Sequence, residues 1–257
     1  MFGVPSFIEE WSHQPELRKW LATRSGVLFG GGTLDKESGD SMISEGIQLF
    51  TGYGLTEAGV VNPLLPKQSL GYDWDHFTFA KNVKPELIPQ GDGTFELVLL
   101  ATPFNNPSVI NTKIRGEDAY ATSDLIVPHP TKEGLWKVYG RCDDQIMHSS
   151  GEKTNPGPLE SILNQDPLVQ SSVIFGRGQF QAGALIQPAK EWQFDPEMDQ
   201  DRVGEFRNKI WPTVERMNEF APQHTRLFHE VHILYSSLDL LTITFPIHII
   251  ANLKAIS

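Results

Sequence analysis

A chain of 257 residues is long enough for one large domain or two smaller domains, each with its own hydrophobic core. Its composition, with 39% hydrophobic and 21% charged residues, is typical of a folded protein rather than a disordered one. The net charge of −11, from 21 basic and 32 acidic residues, argues against binding to nucleic acid or to an anionic membrane, because no basic excess is available.

The same bulk features indicate a cytoplasmic location. The single cysteine, Cys142, excludes an internal disulfide and is typical of a reducing compartment. The first residues contain Glu9 and Glu10 and no basic region, so they do not resemble a secretory signal. The longest apolar run, residues 240–250, is interrupted by polar residues and a proline and is too short to span a bilayer.

The first half of the chain predicts a helix followed by several strands. Pro15–Ala22 places apolar side chains on one side of a short helix. Two short apolar strands, residues 26–29 and 47–51, each run into a glycine. Residues 95–101 form a strand of a hairpin that turns at a Gly-Asp-Gly sequence, and residues 136–140 alternate as another strand.

The second half also alternates helix and strand. Residues 159–164 predict a helix with prolines near its start. Residues 173–175 and 184–186 predict two strands joined by a glycine-containing turn. Apolar residues recur every three or four positions over 203–217, which predicts an amphipathic helix with a kink at Pro212. The whole chain is therefore of the mixed α/β (α+β) class.

Three consecutive glycines follow the first short strand. Gly30, Gly31 and Gly32 let the backbone approach a flat or anionic ligand closely, because no side chain intervenes. Taken alone, a tight structural turn is the favoured interpretation. No Gly-Lys dipeptide occurs in the chain, so a Walker-type phosphate loop is absent.

The turn after the second strand combines an aromatic ring, a hydroxyl and a carboxylate. Tyr53 has a face that can stack on a purine, and it is followed by Gly54. The Thr56 hydroxyl can reach a phosphate oxygen, and the Glu57 carboxylate can hold Mg²⁺. An ordinary turn with a solvated Glu57 is an equally supported alternative.

Two further residues could contact the ribose or phosphate of a nucleotide. Asp124 opens an apolar strand, where a carboxylate can accept hydrogen bonds from both ribose hydroxyls. Arg141 offers a planar set of donors to a phosphate or a ribose. The alternatives, favoured for each residue taken singly, are an ordinary loop aspartate and an ion pair of Arg141 with Asp143 or Asp144.

In this order and at these distances, the motifs resemble the nucleotide-handling motifs of the adenylate-forming superfamily. That superfamily includes acyl-CoA synthetases, luciferases and the adenylation domains of nonribosomal peptide synthetases. The resemblance implies ATP or AMP bound by these residues: Gly30, Gly31, Gly32, Tyr53, Gly54, Thr56, Asp124 and Arg141.

The resemblance also implies a role for each of these positions. The glycines would line the adenine and acyl pocket, and Tyr53 would stack on the adenine. Asp124 would hold the ribose hydroxyls, and Arg141 would contact the ribose. Thr56 and Glu57 would be the catalytic pair, with Thr56 at the α-phosphate and Glu57 binding Mg²⁺.

The domain organisation follows from the same resemblance. Residues 1–142 would be the later part of the large adenylate-forming domain, and residues 143–235 a truncated small C-terminal α+β domain. Asp143 would be the hinge about which the small domain rotates between half-reactions. Residues 236–257 are an atypical apolar tail of doubtful origin, for which a retained intron or a shifted frame is one hypothesis, with Met1 an internal start.

The sequence also resembles one subtype of the superfamily. Three segments are similar to fungal reductase-type members, the carboxylic acid reductases that resemble nonribosomal peptide synthetases: residues 29–34, 149–156 and 211–215, with the sequences FGGGTL, SSGEKTNP and WPTVE. The implied parent reaction activates a carboxylic acid with ATP and transfers it to a phosphopantetheine or CoA thiol. A carrier domain and a reductase domain would follow in the parent protein, and neither motif is present here.

Two departures from the family pattern bear on catalysis. The Ser/Thr/Gly-rich loop that grips the β- and γ-phosphates would lie upstream of residue 1. The family's C-terminal lysine motif does not follow Leu234, and Lys254 lacks its context. Losing such preorganised charge typically costs about 10²–10³ in rate. Met147 stands where many CoA-ligating relatives have a lysine. The alternative is therefore a catalytically inactive remnant that binds an adenine nucleotide or a protein partner.

Three other features have simpler interpretations. His229 and His232, with His224 nearby, suggest a metal site only weakly, because a third ligand is not evident. Cys142 has acidic neighbours that raise a thiol pKa, so it is interpreted as inert. Trp74 is expected in a surface connection, with an acyl-pocket lining as the alternative.

Overall fold

The computed structural model of the protein describes residues 1–66, 69–195, 198–228 and 233–235. The chain forms two compact units, which divide between Asp143 and Asp144. Both units mix helices and strands, as the predicted fold class requires. No helix within these described ranges combines the length and the apolar character that crossing a membrane demands. The predicted tail, residues 236–257, and Lys254 within it lie outside the described residues.

The first unit begins with a three-stranded parallel sheet. Its strands lie in the order β1-β2-β3, with bounds Phe2–Gly3, Val27–Gly30 and Leu49–Gly52. Three helices connect them, namely α1 (Pro5–Ser12) and α2 (Pro15–Ala22) before β2, and α3 (Lys36–Ser44) before β3. Parallel strands need such crossover connections, because the chain must return to the end of the sheet at which the previous strand began.

Proline and capping residues explain where these helices begin. Pro5 and Pro15 occupy the first helical positions of α1 and α2, where the missing N–H is not needed. The sequence did not predict α3, which contains Gly39 and three serines and has weak helix propensity. The carboxylate of Asp35 caps α3 by accepting a 2.7 Å hydrogen bond from the Ser38 N–H.

Trp74 belongs to the core of this sheet layer, so the expected surface connection was wrong for this residue. Its side chain is fully buried, and its indole N–H donates to the Asp40 carboxylate at 2.8 Å. A Cβ atom on Gly39 would lie 2.1 Å from the Trp74 ring, so α3 packs on the indole through its glycine. The ring also meets Phe29 of β2 edge to face.

The rest of the first unit is antiparallel. A short hairpin pairs β4 (Gly54–Leu55) with β5 (Gly59–Val60). A five-stranded sheet follows, with strands β6 (Pro85–Pro89), β7 (Phe95–Leu100), β8 (Thr112–Ile114), β9 (Glu117–Pro128) and β10 (Trp136–Arg141). Four of them lie in the order β10-β9-β7-β6, and β8 pairs with β9. The hairpin of β6 and β7 turns at the predicted Gly-Asp-Gly sequence.

Strand β9 is longer than the sequence predicted and carries a bulge. Ala121 lies opposite Val98 of β7, whereas Leu125 lies opposite Glu96, so β9 has extra residues between these pairs. Within them Ser123 adopts a left-handed φ of 62°. Asp124 therefore lies in the middle of a strand, at an irregularity that redirects its side chain, and the expected position at a strand start was wrong.

The second unit packs helices on another three-stranded sheet. The elements are β11 (Ile146–Met147), β12 (Lys153–Thr154), α4 (Pro156–Leu163), β13 (Val169–Phe175), β14 (Gly183–Pro188), α5 (Gln200–Phe220) and β15 (Ile233–Tyr235). The sheet order is β13-β14-β15, antiparallel and then parallel. The predicted apolar side of α5 is buried, from Val203 to Met217, and Pro212 lies inside this helix. The apolar residues on one face of α5 thus pack this helix against the core.

Candidate functional site

The predicted glycine turn and the Tyr53 turn lie at one edge of the parallel sheet. Strand β2 ends at Gly30 and β3 ends at Gly52, and these two residues are paired. Since the carboxyl ends of parallel strands meet at the same edge, Gly31 and Tyr53 leave the sheet next to each other.

Two of the three glycines are required by the backbone itself. A Cβ atom on Gly30 would lie 2.5 Å from the carbonyl oxygen of Gly52, closer than atoms can approach. Gly31 has a φ of +85°, a conformation that side chains disfavour. Gly32 has an ordinary φ, and a Cβ there would only touch Pro5 at 3.7 Å. The turn thus has a structural reason, and the binding role of the three glycines stays a prediction.

Tyr53 is fixed by three contacts at the start of its turn. Its hydroxyl donates to Oδ2 of Asp124 at 2.6 Å, across 71 residues of sequence. Its backbone N–H donates to Oδ1 of Asn62 at 2.8 Å. Its ring lies 4.9 Å from the Phe77 ring, with 37° between the planes. The orientation of the phenol is therefore set before any ligand arrives.

Asp124 is a buried carboxylate with a partner on each oxygen. Besides the Tyr53 bond on Oδ2, Oδ1 accepts a 3.1 Å bond from Nη1 of Arg141. Burial raises the pKa of Asp124 above its usual value, against the lowering effect of the Tyr53 hydroxyl and the Arg141 charge. A carboxylate can accept about four hydrogen bonds, so two accepting positions remain for a ligand.

Arg141 joins Asp124 to Asp143. Its Nε and Nη2 atoms donate to the two oxygens of Asp143, at 2.8 and 2.6 Å, in the paired geometry that a guanidinium favours. The ion pair that the sequence offered as the alternative for Arg141 is thus present. The side chain is 43% exposed, so solvent or a ligand can still reach it. Asp143 is the last residue of the first unit, and its hinge role stays a prediction.

Thr56 and Glu57 form the turn between β4 and β5. Thr56 is exposed and Glu57 is half-buried. The carbonyl oxygen of Glu57 accepts hydrogen bonds from the N–H and the hydroxyl of Ser108, at 2.6 and 3.1 Å. Burial raises the pKa of Tyr120, and the negative charge of Glu57 raises it further. Gly54 has a packing reason of its own, because a Cβ would lie 2.8 Å from the carbonyl oxygen of Gly59.

The residues fit a magnesium ion that is carried by a nucleotide. Mg²⁺ is usually held by one or two carboxylates together with substrate phosphates and water, and Glu57 provides one such carboxylate. Over the described part of the chain, no group of three or more His, Cys, Asp or Glu side chains could hold a metal by itself. His229 and His232 lie outside the described residues, and His224 contacts the carbonyl oxygen of Lys153 at 3.1 Å.

The structure brings four of the predicted positions of the first unit into direct contact. Hydrogen bonds join Tyr53, Asp124, Arg141 and Asp143 in one chain. Sequence reasoning missed Ser108 and gave Tyr120 no role of its own. Tyr120 begins the Tyr-Ala-Thr-Ser-Asp run that ends at Asp124, and this was the available signal. Nothing in the sequence pointed to Ser108, whose contact depends on the loop conformation.

Sequence comparisons identify relatives over most of the chain. Residues 143–242 match the family model described as the AMP-binding enzyme C-terminal domain. The adenylate-forming reductase Nps10 of Heterobasidion annosum is 54% identical over 237 residues, which cover 92% of this chain and 22% of that protein. The chain therefore spans about a fifth of the length of the curated relatives that it matches.

Solved structures share the fold at low sequence identity. The adenylation domain of a carboxylate reductase from Mycobacterium chelonae matches with a TM-score of 0.67 and 16% identity, over 99% of this chain and 46% of that one. A two-domain adenylation and carrier fragment, the A-PCP didomain of a carboxylic acid reductase from Segniliparus rugosus in complex with AMP, matches with a TM-score of 0.61. Its identity is 16%, over 93% of this chain and 37% of that one.

These findings confirm the resemblance on which the sequence interpretation rests. The chain belongs to the adenylate-forming enzyme family, and its fold is similar to that of the adenylation domains of this family. Within that family its sequence relatives are the fungal adenylate-forming reductases.

Proposed function

We propose that this chain supplies the adenosine-binding part of an enzyme that uses ATP to convert a carboxylic acid to an acyl adenylate. The supporting observation is the hydrogen-bonded chain of Tyr53, Asp124 and Arg141, next to the glycine turn at the carboxyl edge of the parallel sheet. Ligands of open α/β sheets bind at such an edge.

Each side chain has a part that its geometry allows. Asp124 accepts hydrogen bonds from the ribose hydroxyls on its remaining lone pairs, while Tyr53 and Arg141 hold the carboxylate in place. The Tyr53 ring offers an aromatic surface to the adenine. Thr56, which is exposed, donates its hydroxyl to the α-phosphate.

Glu57 completes the site at the phosphate end. When bound, Mg²⁺ supplies positive charge to the phosphate oxygens, and Glu57 is the residue that would hold it. Arg141 adds a permanent positive charge, although two carboxylates already balance it. This balance suits a ribose contact better than a phosphate contact.

The acceptor and the downstream partners belong to the whole protein. The relatives named as reductases, and the solved fragment that joins an adenylation domain to a carrier domain, support a phosphopantetheine thiol as the acceptor rather than CoA. The substrate is accordingly a carboxylic acid, and carrier and reductase domains are the expected neighbours in a longer chain.

Calorimetric titration of the purified chain with AMP tests the proposal. The substitution Asp124→Asn keeps the side-chain shape and removes the charge, so it should weaken AMP binding by about ten- to a hundredfold, the range for losing hydrogen bonds to a charged group. The control is Asp118→Asn, the same change at an exposed position of the same strand, which should bind AMP normally.

An unchanged dissociation constant in Asp124→Asn would exclude the ribose role of this residue. Exchange of labelled pyrophosphate into ATP then separates activation from binding alone. Exchange with at least one carboxylic acid supports an active adenylating unit. AMP binding without any exchange supports the alternative, in which the chain only binds the nucleotide.

A further inference from the structure

The loop of residues 102–111, between β7 and β8, contacts both ends of the proposed nucleotide site. At one point Ser108 donates two hydrogen bonds to the carbonyl oxygen of Glu57, from its N–H at 2.6 Å and from its hydroxyl at 3.1 Å. Asn105 of the same loop reaches the carbonyl oxygen of Ala58 at 3.5 Å. The loop therefore holds the turn that carries the proposed magnesium ligand.

At its other end the 102–111 loop is bound to the strand that carries Asp124. The carboxamide of Asn111 donates to the carbonyl oxygen of Ala121 at 3.0 Å and accepts from the Ala121 N–H at 2.8 Å. These are the two hydrogen bonds that a neighbouring strand would make. The backbone N–H of Asn111 also donates to the carbonyl oxygen of Ala119. Asn111 thus extends the pairing of β8 with β9 toward Asp124.

The loop has a defined conformation between these two attachments. The Thr102 hydroxyl accepts hydrogen bonds from the N–H groups of Phe104 and Asn105, at 3.3 and 2.9 Å. The Thr102 N–H donates to the carbonyl oxygen of Asn105 at 2.8 Å. Such a closed turn limits the number of conformations that the segment can adopt.

The two ends of the site differ in how firmly the rest of the fold holds them. Asp124 lies in a twelve-residue strand paired on both sides, and Tyr53 and Arg141 fix its carboxylate. Glu57 lies between β4 and β5, strands of two residues each. A hairpin this short is marginal by itself, so the position of Glu57 depends on outside contacts.

We propose that Ser108 and Asn111 are positioning residues, which fix the distance between Glu57 and Asp124 and thereby the binding of a magnesium–nucleoside triphosphate. This inference rests on the proposed function and extends it to residues outside the nucleotide motifs. Ser108 acts through the backbone of Glu57, and Asn111 acts by holding the loop against β9. Small displacements of a metal-binding carboxylate are costly, because the geometry around Mg²⁺ is strict.

The experiment compares two ligands by calorimetry with the full chain. Mg²⁺·ATP needs both ends of the site, whereas AMP without magnesium needs only the ribose and adenine end. In Ser108→Ala and in Asn111→Ala, the dissociation constant for Mg²⁺·ATP should rise by roughly three- to tenfold, as expected for one or two lost hydrogen bonds. The constant for AMP should stay unchanged in both variants.

Two further variants sharpen the comparison. Asn106→Ala makes the same change at an exposed position of the same loop and should bind both ligands normally. In the double variant Ser108→Ala/Asn111→Ala, the effect on Mg²⁺·ATP should be smaller than the product of the two single effects, because both act through one loop. Ser108→Thr keeps the hydroxyl and should restore the affinity.

The outcomes separate this inference from the proposed function. If the unmodified chain binds neither ligand, the proposed function fails and the positioning role fails with it. If the unmodified chain binds both ligands and Ser108→Ala binds Mg²⁺·ATP as tightly, only the positioning role is refuted. An equal loss for AMP and Mg²⁺·ATP, together with a lower melting temperature, would show a merely structural role. If Asn111→Ala fails to fold, Ser108→Ala alone tests the positioning role. This variant should fold, because the backbone N–H of residue 108 still donates to the carbonyl oxygen of Glu57.

Discussion

Removing the Tyr53 hydroxyl tests the chain of hydrogen bonds that joins Tyr53, Asp124 and Arg141. The substitution Tyr53→Phe deletes the donor to Oδ2 of Asp124 and leaves the ring contact with Phe77 intact. The bond is 2.6 Å long, and its acceptor carboxylate is only 11% exposed. Hydrogen bonds to charged groups contribute about 1.5–3 kcal/mol, so the free energy of unfolding at neutral pH should fall by about this amount.

The pH dependence of this loss identifies the Asp124 carboxylate as the partner. Burial already raises the pKa of Asp124, and the Tyr53 hydroxyl is the largest effect that opposes the rise. Without the hydroxyl the pKa should rise further. A carboxyl group with a raised folded-state pKa contributes stability that is full at low pH and is lost as the pH rises through that pKa. The difference between Tyr53→Phe and the unmodified protein should therefore shrink on acidification, as Asp124 becomes protonated in both.

Urea unfolding over a series of pH values measures this difference. Tyr72→Phe is the matched control, because it deletes the same atom from a side chain that is 58% exposed. It should change stability by no more than about 0.5 kcal/mol at any pH. A loss in Tyr53→Phe that stays constant with pH would refute the coupling to Asp124, and no loss at all would refute the hydrogen bond itself.

Two other predictions concern the glycine turn and a buried histidine. Gly30→Ala should lower the free energy of unfolding by about 1–3 kcal/mol, because its Cβ would lie 2.5 Å from the Gly52 carbonyl oxygen. Gly32→Ala is the control and should be tolerated. Equal effects of the two substitutions in urea titrations would contradict this packing. In the second unit, burial lowers the pKa of His148 from 6.5, so stability should be full above that pH and fall as the pH drops through the folded-state pKa. In thermal unfolding at several pH values, this loss of stability at low pH should be absent in His148→Gln. It should be present in His13→Gln, the control at an exposed position. If His148→Gln shows the same loss, His148 is not its source.

Elements with a strong local pattern were predictable from the sequence. The bounds of α2 agree with its proline start and its apolar side, and α5 buries the residues that recur at a helical period. The hairpin of β6 and β7 follows from glycines at its turn. By contrast, α3 was missed because its own residues favour helix weakly, and its cap at Asp35 and its packing on Trp74 stabilise it instead.

The candidate site shows the same division. The amino-acid sequence by itself determined the order of the nucleotide-type motifs and the family to which they point, because turn glycines, hydroxyls and acids are local signals. Only the tertiary structure decided that the Tyr53 hydroxyl meets Asp124, that a bulge in β9 directs this carboxylate, and that Ser108 holds Glu57. Those contacts join residues up to 71 positions apart, and their geometry depends on strand register and loop conformation, which no local pattern encodes.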